Sequence, residues 1–147
     1  MATVRTIADP MYMAAVHNYS DAIRGRDEAR WLACFAEDAI CHDPVGSLPI
    51  EGREGLREIW KVLTAPFKAI SVVEIDVFYG GSGAAIHWKA QGTGINDRVI
   101  DFSGITILEF SLHGKIQTAM SYWDPAAMLI ELAGESEIDD FDPSLRN

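Results

Sequence analysis

The chain has little of what several large classes of function require. It has no cluster of lysines or arginines. Over 147 residues, 12 Lys and Arg stand against 22 Asp and Glu, a formal net charge of −10 at pH 7. That balance repels phosphate backbones and anionic lipid, so neither nucleic acid nor a membrane is an expected partner. No stretch approaches the roughly 20 apolar residues of a membrane helix, and the opening MATVRTIADP lacks the apolar run of a signal peptide. A soluble, cytoplasmic protein is expected. Cys34 and Cys41 read as two separately placed core thiols rather than a disulfide framework, which suits a reducing compartment. Neither histidines at ligand spacing nor a zinc-type cysteine pair occurs, and no metal or other cofactor is expected. Gly80, Gly81 and Gly83 form a hairpin turn that precedes no helix, which removes a phosphate cradle.

What is present is ordinary for a globular protein, with 48% hydrophobic and 23% charged residues. The length suits one domain over residues 1–147, with a core of about 11–125 and an acidic tail of about 134–147. Glu135, Glu137, Asp139, Asp140 and Asp142 make up that tail, and such a run is usually a solvated face. Asp9 and Pro10 suit the start of a helix, and Tyr12, Val16, Tyr19 and Ile23 recur at helical spacing as far as Gly25. Asp27 can cap a second helix whose buried stripe reads Trp31, Leu32 and Phe35. Ala39 to Asp43 reads as a short strand, because Pro44 pushes the residue before it toward extended backbone. After the turn GSLPIEG, a third helix places Leu56, Ile59, Trp60 and Leu63 on one side. From Ala69 onward, β-branched and aromatic residues broken by turns predict four antiparallel strands over about 69–79, 84–92, 98–111 and 115–124. Helices first and a meander afterwards imply an α+β cone, a curved and mainly antiparallel sheet wrapped by three N-terminal helices, with a pocket at its mouth.

The stretch YSDAIRGRDEARWLACFAEDAICHDPVGSLPIEGREGLREIW, and most specifically Asp43-Pro44-Val45-Gly46-Ser47, resembles the start of the bacterial Δ5-3-ketosteroid isomerases. These lie within the nuclear-transport-factor-2-like, or SnoaL-like, superfamily. A weaker likeness continues through SGITILEF and GKIQTAMSYW. The resemblance implies a homodimer that takes a hydrophobic small molecule, plausibly a steroid, and shifts a proton within it. It also implies roles. Asp43 stands where the family carries its proton-transfer carboxylate, and Tyr19 where a helix tyrosine donates a hydrogen bond to the ligand oxygen. The family's third group, a protonated aspartic acid on a strand, becomes Thr106. Trp60 replaces a tyrosine that bonds the helix tyrosine, and an indole can donate but not accept. The resemblance further assigns Trp88, Ala90, Ala119, Ser121 and Trp123 to the cavity wall, together with Phe35 and Trp60.

Each assignment has a plainer structural reading. On that reading Asp43 only starts a turn, Tyr19 is a core tyrosine bonded to backbone, and Thr106 is a β-branched residue suited to a sheet. Aromatic residues in strands are more often core than ligand contacts. Two alternatives stay open on the same scaffold. One is a dehydratase or polyketide-cyclase-like enzyme pairing Asp43 with His87 or Tyr19, and the other a non-catalytic binding module. Epoxide hydrolysis ranks lower, because Ser121 stands at a position where an acidic residue is needed. His42 and His87 alternate with Asp43 and Trp88, so within each pair only one side chain can face inward. His17 and His113 read as surface residues.

Overall fold

The computed structural model of the protein describes residues 9–134. Helix α1, Pro10–Arg24, starts where Asp9 accepts a hydrogen bond from the Met11 N–H at 2.8 Å. It ends at Gly25. Helix α2, Glu28–Ala33, is capped by Asp27, which accepts from the Arg30 N–H at 3.0 Å. Strand β1, Phe35–His42, follows at once. Phe35 therefore opens a strand instead of closing the helical stripe, since α2 has a buried pair, Trp31 and Leu32, within only six residues.

The turn after Asp43 leads to a two-residue strand β2, Ile50–Glu51, and to helix α3, Gly52–Thr64, which buries Leu56, Ile59 and Trp60. Four long strands come next: β3, Phe67–Gly80; β4, Gly83–Gly94; β5, Val99–Phe110; and β6, Ile116–Tyr122. They form an antiparallel meander, and the full sheet runs β2-β1-β6-β5-β4-β3. Strand β1 lies parallel to β6, so the sheet is mixed. A register shift between Glu74 and Asp76 marks an irregularity in β3. Such an extra residue bends a strand and increases its twist, in keeping with a curved open sheet.

One element was not foreseen. Strand β6 stops at Tyr122, and Pro125–Ala133 form a fourth helix, α4, whose Asp124 cap accepts from the Ala127 N–H at 3.0 Å. Its start repeats the Asp-Pro signal of α1. Met128 and Leu132, one turn apart, pack with Phe67 and Ile100 in a small second core cluster. The larger cluster lies between the sheet and α1 to α3 and includes Val16, Phe35, Leu56, Leu108 and Ile116, all essentially inaccessible. The acidic tail beyond Gly134 lies outside the described residues. Among those described, no helix is long and apolar enough to cross a membrane.

Candidate functional site

Strand alternation builds the cavity. On β4, Ile86, Trp88 and Ala90 face inward while His87, Lys89 and Gln91 are exposed. On β5, Phe102 and Thr106 line the hollow and Asp101, Ser103 and Ile105 face out. Ser121 on β6 and Trp123 just beyond it add the third strand's share. The helices close the other side with Tyr19, Ser20 and Ile23 from α1, Trp60, Leu63 and Thr64 from α3, and Met128 from α4. The empty space in the hollow and at its mouth, open solvent included, is about 840 Å³. Small residues keep room for large ones. A Cβ on Gly104 would lie 2.6 Å from Cζ2 of Trp88, so glycine lets that indole lie across β5. Likewise the Phe67 ring lies over Gly92, where a Cβ would clash with it.

Asp43 follows β1 directly and is joined to Pro44 by a cis peptide. Two residues on, the Val45 N–H donates to the Ser121 carbonyl at 2.8 Å, tying this turn to β6. The Trp123 indole N–H donates to Asp43 Oδ1 at 2.6 Å. Burial among apolar side chains raises the Asp43 pKa to about 6, against the downward pull of the Trp123 hydrogen bond. The group is therefore ionised at neutral pH yet is a much stronger base than an ordinary aspartate. Tyr19 is pushed well above the usual tyrosine range by burial first and by the Asp43 charge second, with the Trp31 indole opposing. It stays protonated and can donate. Its accessible surface, greater than that of its core neighbours, belongs to a side chain that lines the hollow.

A second polar group sits on the sheet. The Trp88 indole N–H donates to Thr106 Oγ1 at 2.9 Å, and Thr106 Oγ1 and Ser121 Oγ are themselves 2.9 Å apart. Thr106 and Ser121 are direct cross-strand partners and both are buried. The aromatic wall is continuous. Trp123 meets Phe102 at 5.8 Å and Trp88 at 6.3 Å between ring centroids, and Phe102 stacks on Phe67 at 5.8 Å. Among the described residues, no group of three or more His, Cys, Asp or Glu is placed to hold a metal ion.

Of the residues singled out from sequence, the cavity brings together Tyr19, Asp43, Thr106, Trp60, Trp88, Ser121 and Trp123, with Ala90 beside them. It does not include Phe35 or Ala119. Both are 1% exposed and belong to the larger core cluster, where the helices press directly on the sheet and leave no space. Phe35 instead backs the site, edge-on to Tyr19 at 6.1 Å and to Trp31 at 4.7 Å. Trp60 tilts against Trp31 at 5.2 Å. His87 is exposed on the outer face of β4, so the pairing of Asp43 with an inward His87 is corrected. His17 and His113 are exposed as expected.

Sequence reasoning missed Ser20, Trp31, Phe67 and Met128 as cavity residues. Phe102 was legible on the face of Thr106 by strand alternation, and Met128 follows the readable Asp124-Pro125 helix start. Ser20 and Trp31 carry no local signal, because a small polar residue and a buried indole on helices look alike whether they face a cavity or a core.

A curved α+β sheet around an apolar hollow, with one largely enclosed carboxylate and a few converging hydroxyls, has the form that small-molecule pockets take. The chain belongs to the SnoaL-like domain family, whose model matches residues 16–119. It is 27% identical over 117 residues to a steroid Delta-isomerase of Nocardioides simplex, covering 80% of this chain and 93% of that protein. Among solved structures, SalBIII, an epoxide hydrolase/cyclase-like enzyme with a role in pyran ring formation in polyether salinomycin, superposes with a TM-score of 0.70 at 22% identity. That match covers 78% of this chain and 91% of SalBIII. RV0760c of Mycobacterium tuberculosis, in complex with estradiol-17beta-hemisuccinate, gives a TM-score of 0.70 at 17% identity, covering 80% and 96% of the two chains. An NTF2-like protein of Burkholderia pseudomallei reaches 0.73 at 17% identity, with 86% and 100% covered. These likenesses at low identity establish the fold.

Proposed function

We propose that this protein catalyses an intramolecular proton shift on a hydrophobic ligand with an enolisable ketone, a 3-keto steroid being the class that fits best. The observation that carries the reading is Asp43, a carboxylate with its pKa raised to about 6 by burial, in the same apolar hollow as the protonated Tyr19 phenol. Proton abstraction beside a carbonyl needs a base at the carbon and a donor at the oxygen where negative charge develops.

In this reading the Asp43 carboxylate takes a proton from the carbon between the carbonyl and the isolated double bond. The electron pair moves onto the oxygen, where the Tyr19 O–H donates to the dienolate. Asp43 then returns the same proton to the far end of the conjugated system, and the double bond ends in conjugation with the ketone. Nothing is consumed. The aromatic wall of Trp88, Phe102 and Trp123 suits a flat hydrophobic ligand. The steroid isomerase relative and the steroid derivative bound by a structural neighbour support the same ligand class. An aliphatic hydroxyl from the Thr106 and Ser121 pair is a less acidic donor than a carboxylic acid, so turnover slower than in the efficient isomerases is expected.

The test is the rise of conjugated-enone absorbance when purified protein meets 5-androstene-3,17-dione. The expected result is turnover in the wild type and a loss of about 10³-fold in kcat for Asp43→Asn. Equal rates in the two proteins would remove the claim. Steroid retained without turnover would favour the binding-module alternative.

A further inference from the structure

The Thr106 and Ser121 hydroxyls share one hydrogen bond that either could donate, and the Trp88 indole biases its direction. An indole N–H only donates, so one lone pair of Thr106 Oγ1 is already filled. Two hydroxyls carry two protons and their mutual bond uses one, leaving one O–H. If Ser121 donated, Thr106 would accept twice and keep the free O–H itself, while the buried Ser121 oxygen received nothing from its partner. If Thr106 donates, each oxygen accepts one bond and the donors run in one sense from Trp88 through Thr106 to Ser121. Cooperativity alone would serve either arrangement, but only the unidirectional chain gives each of the two buried oxygens an accepted bond, and that favours it.

We propose that Ser121 carries the terminal O–H of this chain and donates it to the ligand oxygen, with Thr106 a positioning residue that acts through it. Backbone geometry supports the assignment. The Ser121 carbonyl accepts the Val45 N–H, two residues beyond Asp43, and Trp123, two residues beyond Ser121, holds the Asp43 carboxylate. Two residues of extended chain span about 7 Å. One short segment thus fixes both the base and the donor, and Gly104 keeps the Trp88 indole across β5 where it can feed the chain.

The inference rests on an anionic ligand oxygen being bound in this cavity, and its test does not need turnover. 2-Naphthol serves as the probe, since its naphtholate mimics an enolate and its ionised fraction is read directly by absorbance and fluorescence across pH. Ser121→Ala is expected to weaken naphtholate binding about tenfold, with neutral naphthol affected less than threefold. Thr106→Val should show a smaller loss in the same direction, and Thr106→Ser, which keeps the hydroxyl, should bind as the wild type does. Should Thr106→Val fail to fold, the contrast between Ser121→Ala and Thr106→Ser still decides. Wild-type naphtholate affinity in Ser121→Ala overturns the proposal, as does a larger loss in Thr106→Val than in Ser121→Ala, or no naphthol binding by the wild type. A loss in Ser121→Ala with none in Tyr19→Phe removes the oxygen-facing role of Tyr19 and supports this inference. An unchanged isomerisation rate in Asp43→Asn removes the catalytic reading without touching the naphthol result.

Discussion

The two ends of the sheet's inner face are built to opposite purposes. Where α1, α2 and α3 meet β1, β5 and β6, the interior is solid: Phe35, Leu56, Leu108 and Ile116 are at most 1% exposed. Where β4, β5 and β6 extend past that plug toward α4, similar alternation lines an open hollow. Thr106 and Leu108, two residues apart on β5, sit on either side of the boundary. The difference teaches that one strand serves both regions, and that side-chain size and helix placement decide which part fills. Close packing is worth most where space is fully occupied. The hollow gives up that packing and buries a carboxylate besides.

The largest effect should come from breaking the solid end. Leu108→Ala removes a fully buried side chain from the main cluster, and truncations of this kind cost about 2–5 kcal/mol. Chemical denaturation should show that loss while ligand affinity per folded molecule stays within about twofold, because Leu108 does not line the cavity. A change in affinity comparable to the change in stability would mean that the two ends are one mechanical unit.

At the open end, removal of a charge should stabilise. Native Asp43 titrates at about 6 against an ordinary 3.8, so between those values the folded protein holds more protons than the unfolded chain. Stability on this account is highest below about pH 4, falls as pH rises toward 6, and is level above. Converted at about 1.4 kcal/mol per pH unit, the burden at neutral pH is up to about 3 kcal/mol. Asp43→Asn, which keeps an oxygen for the Trp123 indole, should therefore raise stability at pH 7 while cutting turnover about 10³-fold, and should gain nothing at pH 3.5. Denaturation midpoints at the two pH values check the sign. Equal gains at both would show that ionisation is not the cause.

The same contrast explains what the sequence could disclose. Helical spacing of Tyr12, Val16, Tyr19 and Ile23 and of Leu56, Ile59 and Trp60 was legible because each helix turns one continuous apolar stripe inward, whether toward the plug, as Val16 and Leu56 do, or toward the hollow, as Tyr19 and Trp60 do. The meander was legible from its turns. The parallel pairing of β1 with β6 was not, since a strand of eight residues beside a distant one leaves no periodic trace. Helix α4 was obscured because β-prone GKIQTAMSYW runs straight into it, although Asp124-Pro125 marks its start. Within the site, the Asp-Pro motif pointed to Asp43 and the family likeness to Tyr19. Phe35 and Ala119 were misplaced because alternation gives the face of a strand, whereas the distance along it to the plug is a tertiary fact. The Trp88, Thr106 and Ser121 chain needed both the register of three strands and the absence of a side chain at Gly104.

The smallest effect tests how the open end tunes its base. Burial lifts the Asp43 pKa, and the Trp123 indole N–H, donating to the charged carboxylate, holds it partly down. Trp123→Phe retains an aromatic ring to pack against Phe102 and Trp88 but removes that donor. A hydrogen bond to a charged group is worth about 1.5 kcal/mol at the low end, which corresponds to about one pH unit. The acid limb of kcat/KM, set by protonation of the free base, should therefore move from about pH 6 upward by about one unit, leaving a smaller fraction ionised at pH 7. At pH 9, where the carboxylate is ionised in either protein, the variant should equal or exceed the wild type, because a carboxylate freed of its donor is the stronger base. A limb that moves down would mean that Trp123 acts on Asp43 by excluding water, with the hydrogen bond secondary.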